Sequence, residues 1–399
     1  MDSSPAFESP DPSDDISLVR NDFPFRWQRR IGLIPRGGTG VGRRALFWTA
    51  VAWLPIAVWA WTVGRALPEQ GQSVEPLLQH FGVHARLLFG IPLLIIAEMA
   101  AQRVTMRLMP QFLHTGIVRP EDVPRFRAIL ADTARLRDAV LPWVIIVGIA
   151  IAWAFTGTVV SRAHELSWAT EGGPAPALGF GGWWYVYVGR PIFLALLLGW
   201  LWRLILLANA LKRIAKLDLA IVPTHADRAG GLGFLERFPS AFSLVAFVAA
   251  MVIAGGWAHD AEFHGVDVHT LYPMMVAALA VVLLVFLSPC LVFAGPLARA
   301  KKQALLEYGA LVAHHGAAVR SKWILGDETR DEPLLSAPEI GPVADTIGLY
   351  EAVQRMRPVP LGKASLLAIA LPVAIPFIGV LAIQIPLKEL LGQLAKGLL

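Results

Sequence analysis

Two ionisable residues stand inside long apolar runs and are the first positions in the sequence that could do chemistry. Glu98 lies in IPLLIIAEMAAQ and Arg203 in LALLLGWLWRLILLANAL, each nearer the basic end of its run. A charge held in hydrocarbon costs about 2.5–3.5 kcal/mol on insertion scales, so such groups face an opposite charge or a watery cavity. The two positions predict an intramembrane Glu98–Arg203 pair. One reading makes it a structural ion pair, or two side chains snorkelling to the interface; the other puts it on a solute or proton pathway.

A second constellation is the loop THADRAGGLG, in which His225, Asp227 and Arg228 precede Gly230, Gly231 and Gly233 just ahead of a helix. Glycines there can present backbone N–H groups to an anion, with Arg228 adding charge. The spacing matches neither the dinucleotide fingerprint nor the P-loop, and no strand precedes it. The competing reading is a tight turn, with Asp227 capping the next helix and pairing with a basic neighbour. A third group is HDAEFHGVDVH, where His259, His264 and His269 alternate with three acids. Imidazole and carboxylate suit zinc or another divalent cation, or an acid sensor. The spacing of five is not that of a helical H-x-x-x-H site, and a short outer loop is polar in any case.

Other chemistry is thinly supported. No G-x-S-x-G, H-E-x-x-H or Cys–His arrangement occurs, and Ser243 and Ser288 have no evident base. The lone cysteine, Cys290, cannot form an intrachain disulfide and is expected in the core or facing lipid. The expectation is therefore a protein that is not an enzyme and holds no cofactor, the one enzymatic alternative being a lipid-modifying site at His225, Asp227 and Arg228.

The elements that must position these residues follow from composition. The chain has 399 residues, 55% of them hydrophobic and only 16% charged, against roughly 25% charged in soluble chains. Seven apolar runs, at about 45–63, 87–102, 139–160, 183–211, 241–257, 271–297 and 364–386, approach the roughly 20 residues that span a bilayer. The fold class is an all-α polytopic membrane bundle with short cytoplasmic amphipathic helices. The second and fifth runs are the shortest, so six spans and a re-entrant piece is the alternative count. With the N-terminus inside, cytoplasmic segments hold about 28 of the 35 Lys and Arg, which predicts an N-in, C-out topology in a bacterial inner membrane. The net charge of +5 is thus topological, and no nucleic-acid partner is expected.

Residues 1–44 read as a disordered tail, acidic and then basic; 45–297 as six spans; 298–363 as a cytoplasmic helical segment; 364–399 as the last span and an amphipathic end. Trp143, Trp183, Trp184, Tyr185 and Trp257 fall near span ends, whereas Trp53 and Trp153 fall mid-span as packing residues. Pro55, Pro92, Pro191, Pro289, Pro372 and Pro376 predict kinks. Leu305, Tyr308, Val312, His315, Val319 and Trp323 form one apolar helical stripe, expected to pack on a second cytoplasmic helix such as 126–136. GPVADTIGLYEAVQRM predicts a further amphipathic helix. No internal repeat is evident.

The segments LDLAIVPTHADRAGGLGFL, EPLLSAPEIGPVADTIGLYEAVQRMRPVP and IPLKELLGQLAKGLL resemble a family of bacterial multi-spanning integral membrane proteins. The resemblance implies the membrane fold and no activity, cofactor or catalytic residue. Function is expected to be channel or transport-related, on Glu98, Arg203 and the kinked spans. The alternatives are a membrane sensor or assembly subunit and an interfacial enzyme. The expected partners are the lipid bilayer and a homo-oligomeric or other membrane protein.

Overall fold

The computed structural model describes residues 17, 22–35, 38–68, 75–156, 166–171, 177–325 and 341–385. The acidic tail at 1–16 and 18–21, the acidic stretch at 326–333, the C-terminal end at 386–399 and the side chain of Trp323 lie outside the described residues. The chain is a bundle of α-helices: α1 (Phe23–Arg30), α2 (Val41–Thr62), α3 (Phe81–His114), α4 (Val123–Asp138), α5 (Leu141–Thr156), α6 (Phe180–Ile214), α7 (Gly233–Phe263), α8 (Val268–Leu291), α9 (Ala294–Val319), α10 (Gly341–Arg355) and α11 (Lys363–Gln384). Among the described residues β structure is confined to a two-residue ladder, Thr170 with Leu178 and Glu171 with Ala177, and a bridge between Val118 and Leu219.

Six helices, α2, α3, α6, α7, α8 and α11, are long and apolar enough to cross a membrane, and α4 with α5, bent by 42°, can supply a seventh crossing. Polar contacts sort the connections onto two faces. On one, Arg26 donates to the Asp138 carbonyl, Arg213 pairs with Asp132, and Lys301 donates to the Gln354 carbonyl. On the other, Arg65 donates to the Trp168 carbonyl and Gln384 to that of Val266. Asp138, on the first face, stands at the junction of α4 and α5, the two halves of that bent pair. Outward side chains such as Leu46, Val276, Leu284 and Leu371 are exposed and apolar, which suits contact with lipid.

The two spans that look shortest in sequence are among the longest here. α3 runs 34 residues and α7 31, because helix continues through polar flanks that a hydropathy window discounts, and because a 3-10 turn over Gly233–Phe242 leads into α7. With α6 they are the most buried spans, while α2, α8 and α11 lie peripherally. Both α3 and α6 carry a π-helical turn, at Ala85–Gly90 and Tyr185–Gly189, each followed at once by Pro92 or Pro191. A proline ring clashes with the carbonyl four residues earlier, and the wider π turn removes that clash. The two helices meet there: a Cβ on Gly90 would lie 2.8 Å from Phe193, and one on Gly189 3.0 Å from Leu87. Trp53 donates to His84 Nδ1, whereas Trp153, expected inside the packing, is largely exposed on α5.

Two expectations are corrected. Asp22 to Arg30 is not disordered tail: Asp22 accepts the Phe25 N–H at 2.9 Å as an N-cap, Pro24 stands in the first turn, and Phe25 and Gln28 are buried against the bundle. The stripe on α9 packs on α10 rather than on 126–136. His315 Nδ1 lies 3.3 Å from Thr346 Oγ1, while Phe126 is committed to an aromatic cluster with Phe112.

Candidate functional site

The docking of α1 completes a buried polar cluster. Glu98, on α3, stands between two guanidinium groups: Oε2 accepts from Arg44 Nη1 at 2.6 Å and Oε1 from Arg203 Nη2 at 3.0 Å. Arg203, on α6, also donates to Asp22 Oδ2 at 2.8 Å, and Arg44, on α2, donates to Gln28 Oε1. All five side chains are less than a tenth exposed. Asp22 and Glu98 balance Arg44 and Arg203, so four elements bring together a set with no net charge. Burying such a set is tolerable only because each charge meets its opposite at hydrogen-bonding distance. Arg203 also lies 5.0 Å from the Trp200 ring and 6.0 Å from that of Trp143.

A slot of about 410 Å³ opens beside the cluster, between α2, α5 and α6, with α1 along one end. Its walls include Val147, Ile151, Ile192 and Leu196; its polar floor is Glu98, Arg44, Gln28 and Arg203. Tyr187 and Val188 of the α6 π turn line it as well. Two donors on lining residues, Arg203 Nε and Trp143 Nε1, are buried and have no acceptor among the described residues. An unmet buried donor costs about 1–3 kcal/mol, so the pair marks where an acceptor belongs.

The Asp227 loop is internally saturated. Asp227 Oδ1 accepts the N–H groups of Ala229 (2.8 Å) and Gly231 (3.2 Å), and Oδ2 accepts that of Gly233 (2.7 Å). Arg228, with φ of 56°, and Gly230, with φ of 64°, take the left-handed turn that aims those groups inward. The anion of this nest is Asp227 itself. Burial pushes its carboxyl up, but the three N–H groups and His225 outweigh burial and hold it below the ordinary 3.8. Arg357 donates to the Asp227 carbonyl and pairs with Glu236, tying the loop to the approach to α11.

On the opposite face the structure brings His259 and His264 beside Glu75 and His80 but leaves His269 apart, its backbone N–H capped by Asp267 and its ring edge-on to Tyr272. Sequence reasoning missed Asp22, Gln28, Arg44, Trp143, Glu75 and His80 as site residues. Asp22 carried a usable signal, an Asp two residues before a proline; Glu75 and His80 carried none, being far from His259 in sequence. Compared with protein-family models, curated proteins and solved structures, the chain matches none.

Proposed function

We propose that the chain is a transport-related protein of a bacterial-type inner membrane that binds a lipid-soluble amphiphile in the slot between α2, α5 and α6. One observation carries the reading: Trp143 and Arg203, both of which line an apolar slot, each hold a buried donor, Nε1 and Nε, without an acceptor among the described residues. Because the cluster below is already charge-balanced, the fitting head is a neutral acceptor, such as an ester or quinone carbonyl, rather than an anion. Apolar walls with a few convergent polar groups, and a volume within about 300–1,000 Å³, are what small-molecule sites share. Helix α1 closes one end through Asp22 and Gln28, so its undocking opens the slot toward the face that charge asymmetry assigns to the cytoplasm.

The test is translocation of a fluorescent diacyl phospholipid in liposomes carrying the purified protein, alongside extraction and mass measurement of retained lipid. Wild type is expected to speed translocation and retain an acyl lipid or quinone, and Trp143→Phe to weaken both by about 2–10-fold, as one hydrogen bond is lost. Neither retention nor translocation in a well-folded preparation sinks the reading. Ion flux that vanishes in a folded Glu98→Gln would place the cluster on an ion pathway instead.

A further inference from the structure

On the face opposite α1, Glu75, His80, His259 and His264 converge from two connections that are distant in sequence. Glu75 precedes a 3-10 turn at Leu77–Gln79, His80 stands at the start of α3, and His259 and His264 lie at the end of α7. His259 Nε2 is 3.2 Å from Glu75 Oε2, and His80 Nε2 is 3.6 Å from the same oxygen. His264 Nε2 is 3.8 Å from Glu75 Oε1. The ligand atoms of Glu75, His80 and His259 all lie within 4.8 Å of one another.

The hydrogen bond at the far nitrogen of His259 decides what this geometry means. Its Nδ1 lies 3.1 Å from the Gln79 carbonyl oxygen, which can only accept, so Nδ1 carries a proton. In the neutral ring Nε2 is then a lone pair facing a carboxylate oxygen 3.2 Å away. Both atoms, Glu75 Oε2 and His259 Nε2, are buried without a hydrogen-bonded partner among the described residues, although each is the other's neighbour. The ring nitrogen and Oε2 are 3.2 Å apart yet not aligned as a hydrogen bond, so a proton on Nε2 does not bridge them, whereas a metal ion seated off the line between them does. A backbone carbonyl on the far nitrogen is the arrangement that orients a metal-ligating histidine. The His80 and His259 rings are stacked at 4.8 Å between centroids, which holds the two imidazoles side by side next to Glu75.

We infer that Glu75, His80 and His259 form a divalent transition-metal site of the zinc class, with His264 placed to swing in as fourth ligand. Ligand atoms about 2.0–2.2 Å from a tetrahedral zinc stand roughly 3.3–3.6 Å from each other, which the two Glu75 separations already approach. Imidazole with one carboxylate selects zinc over magnesium or calcium, which take oxygen ligands. Ser167 Oγ, 3.2 Å from His80 Nε2, borders the position that the metal would occupy, and Trp168 packs against the His80 ring on the apolar side. The site joins the entry to α3 with the exit of α7 and is separate from the amphiphile slot.

Equilibrium dialysis of tag-free, chelator-stripped full-length protein against Zn²⁺, read by elemental mass spectrometry, tests this. One zinc per chain is expected, with affinity falling at least tenfold in His259→Ala and in Glu75→Gln and unchanged in His269→Ala. The zinc absorption edge is expected to show a mixed imidazole and carboxylate shell. Equal zinc retention by wild type and His259→Ala, an all-oxygen shell, or no retention by wild type would overturn the site. Should His259→Ala fail to fold, Glu75→Gln with the absorption spectrum decides the same question.

Discussion

The two faces of the bundle handle buried polarity in opposite ways. On the α1 side, four charges from four elements neutralise one another, with a hydrogen bond at each pairing. On the other side, a carboxylate and an imidazole face each other across 3.2 Å with no hydrogen bond between them. The charge-balanced cluster explains itself as structure, since removing any charged member leaves another stranded. The open one does not, because nothing among the described residues supplies what lies between its acceptors. Both proposed sites include buried polar atoms without a partner among the described residues: donors of Trp143 and Arg203, which line the slot, and acceptors of Glu75 and His259 at the histidine cluster.

This contrast is sharpest at Glu98. Glu98→Gln leaves Arg44 and Arg203 facing one buried carboxylate, and breaking a buried pair in this way costs about 3–5 kcal/mol. Adding Arg44→Met restores the balance of Arg203 with Asp22 and is expected to recover about half of the loss, measured by thermal unfolding in detergent. A smaller effect is expected at the other face. Without metal, Glu75→Gln should change stability little, since its Oε2 holds no hydrogen bond. With zinc at a hundredfold excess over the wild-type dissociation constant, wild type gains about 2.7 kcal/mol and the variant about 1.4 kcal/mol or less.

The Asp227 loop extends the comparison as a carboxylate whose oxygens are satisfied within its own loop. Asp227→Asn weakens three backbone contacts and is expected to cost about 1.5–3 kcal/mol. The sign with pH follows from its depressed carboxyl: this contribution is full above the ordinary 3.8 and is lost as pH falls below it, visible as an acid-sensitive unfolding midpoint in wild type that is less acid-sensitive in Asp227→Asn. At the bottom of the scale, His269→Ala is expected to stay within about 0.5 kcal/mol with and without zinc, because its ring is exposed and outside the cluster.

What was legible in sequence divides along the same physical line. Lone charges inside apolar runs declare themselves, which is why Glu98 and Arg203 stood out. Arg44 and Asp22 did not, because each sits among other charges where a solvated role is the default. The spans followed from composition, yet α3 and α7 outran their apolar cores, since helix propagates through arginines and histidines that hydropathy discounts. The Asp227 loop was open between an anion site and a turn, and only the direction of its N–H groups separates the two. Glu75 and His80 were invisible because their meeting with His259 is purely tertiary. The partner of the α9 stripe was likewise a matter of which helix folds back, and α10 is nearer along the chain than α4.

The most direct test of the amphiphile slot is photo-crosslinking with a phospholipid bearing a diazirine in its acyl chain, in nanodiscs, with adducts mapped by mass spectrometry. The account predicts adducts concentrated on the slot-lining residues of α5 and α6, Val147, Ile151 and Ile192, that fall in Trp143→Phe. Adducts spread evenly over outward positions such as Val276 and Leu371, and unaffected by Trp143→Phe, would contradict it.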